Sequence, residues 1–261
     1  MQKRKQNIAL VVSCAVLLVF TSICAYTVST ESTTNSLTVG NIDIILTENN
    51  WEENQVIVPD EDLDKNPVVT NQGKNEAYIF AKVAVPYVEN ITMDYSDNTY
   101  DHVQGQKMPK LVNEPLPLFK FGVKGKNDKI EYDTSITSKQ LVNENWVLVD
   151  GYPKKNEKNQ ELIYIYAYVD RVQDEDNPNI TTTYLKKMPA VGENGENTTE
   201  PIFDKIKIVN FSDTHGGISG QRSVDVDAYG IQTEFLQNQT AANIKEVWNL
   251  LASELDGGDG A

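Results

Sequence analysis

The chain has 261 residues and carries 38 Asp and Glu against 23 Lys and Arg, a formal net charge of −15. A surface this acidic repels phosphate backbones, so nucleic acid is excluded as an expected partner. The only two cysteines, Cys14 and Cys24, precede residue 26. No disulfide framework is therefore expected beyond them, and the length suffices for a packed core to do that work.

Residues 1–25 have the layout of a secretory signal peptide. Lys3, Arg4 and Lys5 form a basic start, 8–23 is an uncharged apolar run, and small Ala25 follows. Cleavage is expected between Ala25 and Tyr26. The alternative is a retained signal anchor, because the apolar run approaches the length that spans a bilayer. In either case the membrane is met only through the leader. Ile23 precedes Cys24 where a lipoprotein has a small residue, which weakens that third reading.

The stretch "YTVSTESTTNSLTVG" (26–40) comes next. It is too polar to form a core and too rich in β-branched residues for a plain linker. Its backbone needs partners. We read it as an N-terminal β-prone arm, with Tyr26, Val28, Leu37 and Val39 as candidate strand-donor residues. Folding back as the first strand of its own sheet, or staying disordered, are the alternatives.

Strand patterns then dominate. Ile42, Ile44 and Leu46 alternate on one face, with Asp43 opposite. "AYIFAKVAVPY" (77–87) has Lys82 as its only polar interior residue and predicts a strand buried on both faces, ended by Pro86. Further strands are expected in 117–123, 145–150, 161–169, 203–211 and 223–236, with Gly, Pro, Asn and Asp in the gaps. The segments 89–110, 156–160 and 173–200 are polar and read as long loops. Near the end, Ile244, Val247, Trp248, Leu251 and Leu255 draw one helical stripe. That predicts a helix over about 240–255, capped by Thr240, stopped at Gly257 and Gly258, and packed on the sheet or across one end of it.

Eight or nine expected strands and one helix define a mostly β fold: a two-sheet, jelly-roll-like sandwich with long loop insertions and one C-terminal amphipathic helix. The expected organisation is a signal peptide at 1–25, the arm at 26–40, a single sandwich domain at 41–255 and a flexible tail at 256–261.

Catalytic patterns are sparse. His215 lies in "SDTHGGISG" beside Asp213, and His102 follows Asp94, Asp97 and Asp101 on a polar loop. Neither histidine belongs to an H-E-x-x-H helix, and the acidic loop reads first as a hydrated surface. "DEDLDKN" (60–66) spaces its acids like a calcium loop but has Lys65 where the glycine turn belongs. No nucleophile elbow, phosphate loop or dinucleotide fingerprint occurs, and no cofactor or metal site is assigned. Five N-x-S/T sequons stand at Asn90, Asn179, Asn197, Asn210 and Asn238.

Several stretches together resemble the TasA/camelysin family, exported proteins of Gram-positive bacteria processed by a signal peptidase of the SipW type. The likeness rests on Tyr26 after the leader, on Gly40 with Ile42 and Ile44, and on Lys65 with Pro67. It continues in the "V-x-N-x-G" element of Val69, Asn71 and Gly73, in Ala77, Tyr78 and Val83, and in "AYGIQ" (228–232). Asp60 and Phe80 depart from the pattern, and 88–223 matches nothing in it. The resemblance implies a secreted jelly-roll protein of the cell surface or biofilm matrix, whose subunits lend N-terminal strands to one another. Its implied partners are further copies of itself, other matrix or surface proteins and the processing peptidase.

Three functions follow as expectations: a non-enzymatic, fibre-forming matrix protein first, a camelysin-like metallopeptidase using His215, Asp213 and His102 second, and an adhesin recognising ligands through its loops third.

Overall fold

The structure, a computed structural model, describes residues 28–32, 35–38, 42–48, 61–89, 91–93, 110–112, 114–133, 135, 137–174, 177, 179, 181–193, 195–209, 223–233 and 243–257. The chain enters through β1 (Val28–Ser32) and β2 (Asn35–Thr38), then β3 (Ile44–Glu48), β4 (Asp62–Asp64) and β5 (Pro67–Asn71), and reaches the long β6 (Ala77–Val88). β7 (Ile91–Met93) and β8 (Lys110–Val112) pair with each other. β9 (Leu116–Pro117), β10 (Phe119–Lys124), β11 (Ile130–Tyr132), β12 (Trp146–Leu148) and β13 (Lys154–Asn156) follow. The second long strand is β14 (Glu161–Gln173), after which come β15 (Thr181–Leu185), β16 (Lys187–Met188), β17 (Lys205–Ile208), β18 (Asp225–Gln232) and helix α1 (Ile244–Gly257).

A ten-stranded antiparallel sheet carries the fold, with the path β12-β14-β6-β18-β1-β2. Two smaller sheets, β11-β10-β17-β4 and β3-β5, cover one face of it. The chain passes repeatedly between the layers: β3 to β5 lie in the cover, β6 in the main sheet, β10 and β11 in the cover, β12 to β16 in the main sheet, β17 in the cover and β18 in the main sheet. That alternation is the jelly-roll habit, and the mostly β sandwich with one C-terminal helix is the fold expected from the sequence.

Strand periodicity assigns each side chain its layer. Along β6, Ala77, Ile79, Ala81, Val83 and Val85 face the covering sheets, whereas Tyr78 and Phe80 face the helix. β14 divides likewise, with Tyr164, Tyr166 and Tyr168 turned to the first core and Ile165, Ala167 and Val169 to the second. Across the first core, Phe121 of β10 stacks on Phe203 at 4.2 Å and meets Tyr164 at 6.1 Å. Lys82, the one polar break in β6, lies opposite Asp227 of β18 and pairs with it at 3.0 Å.

Three local expectations change. β6 runs through Pro86 to Val88. Tyr87 turns its N–H toward Gln160 beside β14, so the missing N–H of Pro86 belongs to the other side, where β18 has already ended opposite Ala84. The segment 173–200 is not one long loop: "TTTYL" and Lys187–Met188 add strands to β14 and β6, as β-branched residues beside open ladder positions do. Residues 91–93 of the first polar segment also form a strand. Short pieces of this kind raise the strand number above eight or nine.

The helix begins after Asn243, whose Oδ1 accepts the Glu246 N–H at 3.3 Å, so the cap lies one turn beyond Thr240. Asparagine caps at least as well as threonine. Thr240 and Gly258 lie outside the described residues. Val247, Trp248 and Leu251 are buried against the main sheet, and Ile244 and Leu255 flank them. Trp248 is the anchor: its ring meets Phe80 at 5.5 Å and Tyr229 at 5.9 Å, and its Nε1–H donates to Tyr152 Oη at 3.0 Å. Trp248→Ala should lower unfolding stability by about 3–5 kcal/mol and release α1 first, which urea titration and amide exchange across 244–257 will register.

Candidate functional site

The arm forms a hairpin on its own sheet. β1 runs antiparallel to β18, with Val28 opposite Ile231, Ser29 opposite Gly230 and Ser32 opposite Asp227. β2 returns along β1, with Leu37 opposite Thr30 and Asn35 opposite Ser32. Among the described residues β2 is thus the terminal strand of the ten-stranded sheet.

β1 lies in a slot. β3 crosses β18 and β1 on one side, and α1 reaches β1 on the other. The close approach depends on Gly230: a Cβ there would come within 3.3 Å of the Cγ2 atoms of both Ile42 and Ile44. Ile42 and Ile44 are themselves fully buried. The alternation in "NIDIIL" therefore roofs the place where the arm pairs.

Of the expected donor residues, Val28 and Leu37 are in the hairpin, while Tyr26, Val39 and the cleavage residue Ala25 lie outside the described residues. So do His102, His215, Asp94, Asp97, Asp101 and Asp213. Among the described residues no group of three or more His, Cys, Asp or Glu is placed to hold a metal, and no helix is long and apolar enough to cross a membrane. In 60–66, Asp62 and Asp64 face lysines. Lys205 binds Asp64 at 2.7 Å, Lys207 approaches Asp62 at 3.6 Å, and the Tyr132 hydroxyl donates to Asp62 at 2.8 Å.

Two buried polar residues give the "V-x-N-x-G" element and the strand "PLFKFGV" their meaning. Asn71 is fully buried; its Nδ2 donates to the carbonyls of Asn75 (2.9 Å), Pro189 (3.0 Å) and Met188 (3.3 Å), and its Oδ1 accepts from Gly73 N–H at 3.0 Å. It ties the β5–β6 turn to the chain after β16. Asn197, a sequon residue, donates its Nδ2 to the Asn71 carbonyl at 3.0 Å, so that amide is committed to the fold. The sequence marks Asn71 only as part of a pattern and gives it no role.

Lys120 is the second. Fully buried in β10, it donates to the carbonyls of Lys139 (2.9 Å), Thr137 (3.1 Å) and Ser135 (3.3 Å). A lysine between two phenylalanines in an otherwise apolar strand was the available signal. Burial pushes its pKa from 10.5 down to about 8, Asp133 opposes the fall and Lys139 adds to it. Lys65, also buried, pairs with Glu48 at 2.6 Å and joins the start of β5 to the end of β3.

Comparison with protein-family models, curated proteins and solved structures returns no match.

Two outcomes follow. Asn71→Asp puts a carboxylate against three carbonyl oxygens and should lower stability by about 3 kcal/mol or more, beyond the loss from Asn71→Ala, by urea titration at neutral pH. For Lys120, the unfolded chain keeps its proton to 10.5 and the folded chain only to about 8. Folding thus releases a proton in that window, and stability rises with pH there, by up to about 3 kcal/mol. Above pH 10 burial keeps the phenols of Tyr164, Tyr166 and Tyr229 protonated in the fold alone, so stability then falls. Lys120→Met should remove the rise and keep the fall, read from unfolding free energies across pH 7–11.

Proposed function

We propose that the protein is an exported structural subunit of a bacterial cell surface or biofilm matrix, and that it associates with further copies of itself by strand addition through the arm 26–40. The observation that carries this reading is the position of the arm: a Ser/Thr-rich hairpin that ends the sheet and is held to β18 along a five-residue register. The same backbone bonds form equally well when the strand comes from a neighbour, as in other strand-addition assemblies. The leader pattern and the resemblance to the TasA/camelysin family support export and assembly, with a SipW-type peptidase as the processing enzyme.

A hairpin of mainly Ser and Thr at a sheet edge is among the first elements to open in local fluctuations. Exchange between cis and trans pairing therefore needs no global unfolding.

The test compares the chain from Tyr26 with one lacking 26–40. The longer protein should form ordered polymers by electron microscopy. The truncated one should keep its near-ultraviolet circular dichroism, form no polymers, and bind a synthetic 26–40 peptide. Polymers of unchanged yield from the truncated protein would remove this reading.

A further inference from the structure

We propose that the first contact between copies is isologous: two β2 strands pair antiparallel about a two-fold axis, joining two main sheets into one. This deepens the assembly reading above and rests on it.

Among the described residues the sheet edges differ in how they are protected. Proteins protect exposed edges with charges, prolines, breaks in the strand or covering segments. The far edge of the main sheet is protected in two ways. β12 and β13 both pair β14, but the chain leaves the sheet between them through Gly151, at a φ of +93°, and Pro153. β13 then carries Lys154 and Lys155, the latter paired with Glu89 at 2.8 Å. In the covering layer, β4 bears Asp62 and Asp64, and β11 bears Glu131. β15 lacks charges but is no lateral edge. It takes up β14 at Val169, just after the β6 pairing ends at Ala167, and β16 then joins β6, so the two fill the fork between the long strands.

β2 is different. Its sequence, "NSLT", has no charge, proline or glycine, and among the described residues its one strand partner is β1. Alternate residues of such a strand direct N–H and C=O outward. Among the described residues β7 is also uncharged and pairs β8, but it belongs to a separate two-stranded sheet; on the main sheet the matching edge that a second copy offers is its own β2. A strand that meets itself about a two-fold axis runs antiparallel and makes each contact twice. Glu31 is the only charge within 28–38, so little opposes the approach locally. The net charge of −15 acts at longer range and is screened by salt. A four-residue edge buries less than the ~1,200 Å² of stable complexes, so the pair forms at high local concentration, the situation of a matrix or a crowded surface.

The absence of cysteine beyond residue 24 allows a direct test. In the chain from Tyr26, Ser36→Cys, Leu37→Cys and Thr38→Cys are oxidised mildly and resolved on non-reducing gels. Because a disulfide needs Cα atoms about 4.4–6.8 Å apart, self-crosslinking should peak at the position nearest the axis and fall at least several-fold two residues away. Lys155→Cys on the far edge should stay monomeric. Leu37→Lys should abolish the dimer in sedimentation while leaving circular dichroism and Tm unchanged, and the wild-type dimer fraction should rise from low to physiological salt. Equal crosslinking at 155, or none at 36–38 under conditions where polymers form, overturns the two-fold pair and leaves the assembly reading standing. No association at any concentration overturns both.

Discussion

β6 must be buried on both faces, and the architecture follows from that requirement. A strand in which Ile79, Ala81 and Val83 alternate with Tyr78 and Phe80 leaves no face for water. One layer has to cover each side. The sheets containing β3, β5, β10 and β17 supply the first, and α1 supplies the second. Flanking β6 by β14 and β18 satisfies its backbone along most of its length. Everything peripheral, the N-terminal hairpin included, is arranged around this three-strand centre.

Legibility in the sequence tracks how local the governing physics is. The two-faced β6, the alternation of Ile42 and Ile44 and the stripe on α1 are periodic, so they can be read residue by residue. The place of Asn71 cannot. Its partners at Asn75, Met188 and Pro189 include residues more than a hundred positions away, and a buried amide looks in sequence like any loop asparagine. Lys120 is hidden for the complementary reason. Lysine in a strand ordinarily reaches water along its stem, and only the carbonyls of Ser135, Thr137 and Lys139 around its ammonium turn exposure into burial. β15 and β16 lie in a segment whose polarity favours a loop, and only the β-branched composition of "TTTYL" marks a strand there.

Charge is distributed with the same economy of role. The described ion pairs on the surface, such as Lys124 with Asp128 or Lys245 with Asp150, are solvent-screened and contribute little. The Lys65–Glu48 pair is of another kind, since both side chains are withdrawn from water and each needs the other. Its value lies in register: it holds the end of β3 against the start of β5, and β3 in turn roofs the slot of β1. Thus a buried ion pair at the base of the cover bears on the place where the arm docks.

The arm meets this framework through its backbone register, with Val28 to Ser32 opposite Ile231 to Asp227 of β18. Each backbone bond of that register has a net worth of about 1 kcal/mol in water. β18 and the roof of Ile42 and Ile44 dictate where a strand fits and in which direction. Among the described residues β2 ends the main sheet with neither lysine nor proline, and the proposed strand pairing rests on that edge.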